Sequence, residues 1–199
     1  MNLANKVTVV RIGLIPLFVL CLHHYPHGIV QQLPFLGLIN RYGLYAAVAL
    51  FLLAAATDKL DGHIARRYNQ VTNLGKLLDP LADKLLISAA LVMMVQHHLI
   101  PSWIAAVIIG REVLVSGIRI LAAAKGIALS ADRHGKAKLA LQVAAIVAVL
   151  LSNYPFAYVT GFPVDMAMMF AAVGLTVYSG YKYILNNYRQ LELELTGPS

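Results

Sequence analysis

The chain has 199 residues, of which 59% are hydrophobic and only 13% charged, with a mean hydropathy of +0.70 and a formal net charge of +7. That balance excludes an ordinary soluble domain and predicts an all-α, polytopic membrane protein. The basic residues are scattered among apolar runs instead of forming one solvated patch, which argues against nucleic acid and for an anionic membrane surface or an anionic substrate.

A membrane-crossing helix needs about 20 mostly apolar residues. Candidate segments follow one another at roughly 7–25, 43–67, 79–98, 102–124, 136–153 and 164–186. The first comes after a short polar start, Met1 to Lys6, but no small-residue cleavage site closes it, so it reads as a membrane helix and not as a removable leader. Breaks are expected at Pro26 and Pro34, from Asn69 to Gly75, at Pro101, from Lys125 to Gly135, and from Pro155 to Pro163. The connections are short, with no flexible linker and no internal repeat, which predicts one domain over residues 1–199. The single cysteine, Cys21, rules out an intrachain disulfide and makes a cysteine-based metal site implausible.

An even number of crossings puts both termini on one side. Lys6, Arg11, Arg66, Arg67, Lys76, Lys125, Arg133, Lys136, Lys182 and Arg189 flank that side, whereas the opposite loops carry little positive charge besides Arg41. The termini and the loops after the second and fourth segments are therefore expected in the cytoplasm. His23, His24, His27, His97 and His98 fall on the other side, where a metal site would lack a neighbouring carboxylate and solvated loop residues are the simpler reading.

The most informative stretch crosses the second and third segments. Asp58 and Asp61 stand at i, i+3, and Asp79 and Asp83 at i, i+4, so each pair occupies one stripe of its helix. If the two helices are antiparallel neighbours, the stripes can face each other. Close carboxylates in a low-dielectric site repel, and holding them ionised calls for positive charge, most simply divalent cations. An all-oxygen donor set selects hard ions, magnesium first, with manganese or calcium as alternatives. Two such ions about 4 Å apart can clamp a diphosphate. Gly62 and Gly75 remove side chains beside these acids and let a nucleotide approach the backbone, while Arg66 offers a guanidinium to phosphate oxygens. Ordinary alternatives are that Asp79 caps the third segment ahead of Pro80, and that Asp58 pairs with Lys59 or Arg66. Neither accounts for the whole set, and ionisable residues inside membrane segments point to function by default.

The pattern D-x2-D-G-x2-A-R-x8-G-x3-D-x3-D, filled here from Asp58 to Asp83, resembles the signature of the CDP-alcohol phosphotransferase family. Asn5-x2-Thr8-x2-Arg11, the run Leu78 to Leu86, Arg111-Glu112 through Arg119, and Gly135-Lys136-Ala137-Lys138 resemble the bacterial members that make phosphatidylglycerophosphate. The resemblance implies that Asp58, Asp61, Asp79 and Asp83 surround two metal ions, with Asp83 doubling as the catalytic base. It also implies that Asn5, Thr8, Gly62, Arg66 and Thr72 contact the cytidine diphosphate part of a CDP-diacylglycerol donor, and that the protein is a homodimer. Acceptor attack on phosphorus would release CMP.

Positive charge in the second half bears on the acceptor. Arg111 and Arg119 share a face at i, i+8, and Lys136 and Lys138 open the fifth segment on the cytoplasmic side. A phosphorylated acceptor satisfies such a cluster, which favours sn-glycerol 3-phosphate, and the resemblance points the same way. The ordinary alternative pairs Arg111 with Glu112 or Asp132 and gives the lysines to lipid headgroups. Tyr178, Tyr181, Tyr183 and Tyr188 read as interface anchors, and Gly110, Ser116 and Gly117 as a face suited to close packing, including packing between subunits. Rival functions are the same chemistry on inositol phosphate or phosphatidylglycerol, a cation-coupled transporter, and a non-catalytic scaffold.

Overall fold

The computed structural model describes residues 3–67, 73–124, 135–158 and 161–195, with side chains described over 8–57, 81–123, 137–158 and 161–187. Those residues form α-helices and one short 3-10 turn, with no strand among them. In chain order the helices are α1 (Leu3–Leu22), α2 (His27–Gln32), α3 (Phe35–Arg67), α4 (Asn73–Gln96), α5 (Ser102–Ala124), α6 (Gly135–Leu150) and α7 (Val164–Leu195). Two segments within them, Phe35–Thr57 and Val164–Asn187, are long and apolar enough to cross a bilayer, while Thr8–Leu22 and Ala137–Leu150 are apolar but shorter.

The fourth predicted segment coincides with α5, and the others differ at one or both ends. α3 begins just after Pro34, well before residue 43, although Asn40 and Arg41 read as loop. The Asn40 amide satisfies the loop before it: its Oδ1 accepts the Tyr25 N–H and its Nδ2 donates to the Tyr25 carbonyl, both at 2.9 Å. α4 begins at Asn73, so Gly75 lies within the helix and not in the break that the sequence suggested. Asp79 is then several residues inside α4 and cannot be its N-cap. α6 stops at Leu150 because Ser152 and Asn153 take left-handed backbone angles, with φ of 51° and 65°. Asn153 then links this turn to the start of α7, donating to the Phe162 carbonyl and accepting the Asp165 N–H.

The chain divides into two compact units, Met1–Leu99 with Leu150–Ser152, and Ile100–Val149 with Asn153–Ser199. In the first, α1 packs on both α3 and α4, and α3 also touches α4. Arg11 meets Thr57, Phe18 meets Phe51 with ring centroids 5.8 Å apart, and Cys21 lies against Gly43. The order is reversed on α3, so α1 and α3 are antiparallel. A Cβ at Gly43 would collide with the Cys21 carbonyl, and this is the close approach that requires glycine. α3 and α4 touch and are joined by a link too short to cross back, which makes them antiparallel too. Phe18, Phe51, Leu91 and Met94 form the centre of this unit's core.

In the second unit α5 packs on α7. Trp103 stacks near Phe170, Arg111 bonds Ser179 and Arg119 bonds Tyr183, in the same order along both helices, so α5 and α7 run the same way. Ile104, Ile108, Ile146 and Met169 are fully buried there. Large apolar side chains nevertheless face outward in both units, among them Leu38, Tyr45 and Leu53 in the first and Val113, Leu114, Ile120 and Leu121 in the second.

Candidate active site

In the first unit the polar centre is built around Arg11. Sequence counting placed this residue with the flanking cations, but its side chain is completely buried. Nη1 donates to Asp83 Oδ1 at 2.8 Å, and Nε donates to Thr57 Oγ1 at 3.3 Å. Thr57 is itself held, because its hydroxyl donates to the Ala54 carbonyl at 2.7 Å, the back-bonded geometry common for threonine in helices. One guanidinium thus joins a residue of α1 to one of α3 and one of α4. A buried cation of this kind is tolerated only with a close anion and satisfied N–H groups. Asp83 remains 28% exposed at its side chain, so it is accessible while it is held.

These contacts set the level of α3 against α4. Thr57 immediately precedes Asp58, and at about 1.5 Å rise per residue Asp61 lies about 6 Å further along α3. Asp79 lies about 6 Å before Asp83 on α4. Because the helices are antiparallel, the 57–61 turn of α3 and the 79–83 turn of α4 stand side by side at one end of the pair. Thr8, three residues before Arg11 on α1, is fully buried at the same end.

Beside this polar centre the chemistry changes abruptly. From Ile12 and Leu85 onward, α1 and α4 leave between them a groove of about 490 Å³ whose walls are apolar apart from Ser88. Pro16, inside α1, forms part of that wall. A polar head and an apolar tail therefore have adjoining surfaces, as a lipid substrate requires.

The second unit holds a cationic cluster. Arg111 Nη2 donates to Ser179 Oγ at 2.9 Å and Nη1 donates to Glu112 Oε1 at 3.3 Å. Lys138, buried on α6, donates from Nζ to the same Glu112 oxygen. Gly180 makes room for this arrangement, since a Cβ there would lie 3.1 Å from Arg111 Cγ. Arg119 donates to the Tyr183 hydroxyl at 3.3 Å and stacks on its ring at 5.1 Å. Tyr183 is buried, so it is a partner of Arg119 and not the interface anchor expected of it, whereas Tyr178 and Tyr181 are exposed. The ordinary expectation that Arg111 pairs with Glu112 is met, but Glu112 serves Lys138 as well. Arg111 and Lys138 thus converge on one Glu112 oxygen, a pair of charged donors of the kind that suits a phosphate.

Of the predicted site residues, Asp83, Thr8, Arg111, Arg119 and Lys138 have described side chains. Asn5, Asp58, Asp61, Gly62, Arg66, Gly75, Asp79 and Lys136 are placed on helices by their backbone only, and Thr72 lies outside the described residues. Arg111, Arg119 and Lys138 fall in one unit and the aspartates in the other. Sequence reasoning missed Thr57, Ser179 and Gly180 as parts of these clusters, and it named Glu112 as a partner of Arg111 but not of Lys138. Only the adjacency of Glu112 to Arg111 offered a local signal. Among the described residues no three histidine, cysteine or acidic side chains come together as a metal site, and this includes the histidines near residues 23–27 and 97–98. For the aspartate set the donor chemistry fits hard divalent ions: carboxylate oxygens alone, on two touching helices at one level, with accessible Asp83 among them.

Comparison with known proteins extends these observations over nearly the whole chain. Residues 1–178 match the family model described as CDP-alcohol phosphatidyltransferase. A Bacillus subtilis protein named CDP-diacylglycerol–glycerol-3-phosphate 3-phosphatidyltransferase is 42% identical over 196 residues, covering 96% of this chain and 97% of its own length. A Pseudomonas fluorescens protein of the same name is 40% identical over 189 residues, covering 92% and 89%. A Rickettsia felis protein, also so named, is 32% identical over 182 residues, covering 92% and 93%.

Proposed function

The chain belongs to the CDP-alcohol phosphatidyltransferase family, and from that premise we propose that it transfers the phosphatidyl group of CDP-diacylglycerol to sn-glycerol 3-phosphate, giving phosphatidylglycerophosphate and CMP. The names of its relatives support this acceptor and do not favour inositol phosphate, phosphatidylglycerol or a transport role. The observation that carries the reading is the complete aspartate motif on two touching, antiparallel helices, held together at the level of Asp83. The family match spans both units, so one reaction is assigned to the chain as a whole.

In this reading Asp83 takes the proton of an acceptor hydroxyl while that oxygen bonds to the phosphorus attached to diacylglycerol. The bond from that phosphorus to the CMP oxygen breaks, and CMP leaves with the electron pair. Asn5, Thr8, Gly62, Arg66, Thr72 and Gly75 bind and orient the cytidine diphosphate part of the donor. Arg111, Arg119, Lys136 and Lys138 bind the acceptor phosphate, drawing Arg111 and Lys138 from Glu112 when it enters. Two divalent cations held by Asp58, Asp61, Asp79 and Asp83, magnesium in this assignment, would neutralise the diphosphate and the charge developing on the leaving group.

The protein is assigned to the bacterial cell membrane as a six-crossing bundle with both termini in the cytoplasm. Its outward-facing leucines, isoleucines and valines and two long apolar spans support that placement. A homodimer is assigned to the α5 face that carries Gly110, Val113, Leu114, Gly117, Ile120 and Leu121. These positions recur every three or four residues, the four large side chains are exposed, and a Cβ at either glycine would meet nothing within 4 Å.

Purified protein supplied with CDP-diacylglycerol, magnesium and one acceptor at a time tests the assignment. Rapid CMP release is expected with sn-glycerol 3-phosphate alone. Equal release with inositol phosphate or phosphatidylglycerol would remove the acceptor, and none with any acceptor would remove the reaction. Light scattering on the same sample is expected to give twice the 21.6 kDa chain mass, and a single-chain mass would exclude the dimer.

A further inference from the structure

We propose that Arg11 is the positioning residue of the carboxylate centre: it fixes α3 and α4 in the register that brings Asp58 and Asp61 beside Asp79 and Asp83. The proposal rests on the reading of those aspartates as one cation-binding centre.

Three observations converge on it. Arg11 is fully buried, so its charge acts at the protein interior and not at a membrane surface. Two of its hydrogen bonds go to different helices, to Thr57 on α3 and Asp83 on α4. Both recipients are attached to the motif, because Thr57 directly precedes Asp58 and Asp83 is its last member. A slip of α3 against α4 by one residue, about 1.5 Å, cannot keep both bonds of a rigid, planar guanidinium. Such a slip would move one aspartate pair along the other by an amount comparable to a metal–oxygen distance of roughly 2 Å. The same cation also offsets part of the repulsion among the carboxylates, whether or not an ion is bound.

An ammonium has the charge without the planar fork, so Arg11→Lys separates positioning from simple neutralisation. The variant is expected to fold, to lose roughly a hundredfold in kcat for CMP release, as misplacement of a reacting group by about 1 Å does, and to leave the KM for sn-glycerol 3-phosphate nearly unchanged. Manganese affinity, read by electron paramagnetic resonance on protein without lipid donor, is expected to fall about tenfold, equivalent to 1.4 kcal/mol. Thr57→Val removes one prong while keeping the ion pair, and is expected to lower both quantities by a smaller factor. It decides the matter if Arg11→Lys does not fold. Wild-type kcat together with wild-type manganese affinity in the folded variants would overturn the proposal, and so would a rise in acceptor KM without a fall in kcat. If the unaltered protein releases no CMP, the proposed reaction fails, while the manganese comparison still judges Arg11.

Discussion

Replacing Asp83 by asparagine is expected to lower CMP release by roughly a hundredfold to ten-thousandfold, the usual contribution of a positioned general base. Asparagine matches aspartate in size and cannot take a proton. Its amide oxygen can still accept the Arg11 N–H that now reaches Asp83 Oδ1 at 2.8 Å, so the helices keep their contact. What is lost is the negative charge opposite a buried guanidinium. Deleting one partner of a buried ion pair costs about 3–5 kcal/mol, and retention of the hydrogen bond keeps the cost below that range. The measurement pairs steady-state CMP release with thermal unfolding in detergent. A variant that unfolds a little earlier but turns over at the wild-type rate would end the assignment of Asp83 as the base.

Arg111→Ala is expected to raise the KM for sn-glycerol 3-phosphate by roughly 10- to 150-fold, which corresponds to losing a charge-assisted hydrogen bond of about 1.5–3 kcal/mol. The guanidinium is held by Ser179 and Glu112, with Gly180 leaving room for its stem, so it is organised before an acceptor arrives. Its removal takes away one of the two cations that bond Glu112. The KM for CDP-diacylglycerol should change little in the same variant. Equal losses for both substrates would point to a structural role on α5, and an unchanged acceptor KM would assign the phosphate elsewhere.

How much of this was legible in the sequence depends on the separation of the interacting residues. Asp58, Asp61, Asp79 and Asp83 declared themselves because helical spacing alone puts each pair on one stripe, and Arg111 and Arg119 did so for the same reason. The all-α class was legible from the apolar runs, but the described residues form seven α-helices where six were expected, the short α2 being the addition, and α3 starts early where Asn40 satisfies the Tyr25 backbone, a contact that no local pattern announces. Gly75 read as a breaker, yet α4 runs through it, as tertiary context overrides a weak propensity. Arg11 reads in the sequence as a flanking cation and as part of the Asn5-x2-Thr8-x2-Arg11 resemblance, and its burial is not legible there because Thr57 and Asp83 are 46 and 72 residues away. Tyr183 was read as an anchor for the same reason, with Arg119 64 residues off.

The burial of Arg11 also changes what the motif means physically. Four carboxylates on two helices need both a cation and a fixed spacing, and α1 supplies one cation from within the fold. Thr8 and Arg11 on α1 therefore belong with the aspartate helices as one polar centre, which is consistent with α1 packing on both of them.

Anomalous diffraction from crystals grown with manganese and CDP bears most directly on whether that centre exists. Two peaks are expected between the 58–61 turn of α3 and the 79–83 turn of α4, about 4 Å apart, with the diphosphate bound across them. Aspartate side chains turned away from one another, with nucleotide present and no anomalous density between the helices, would contradict it.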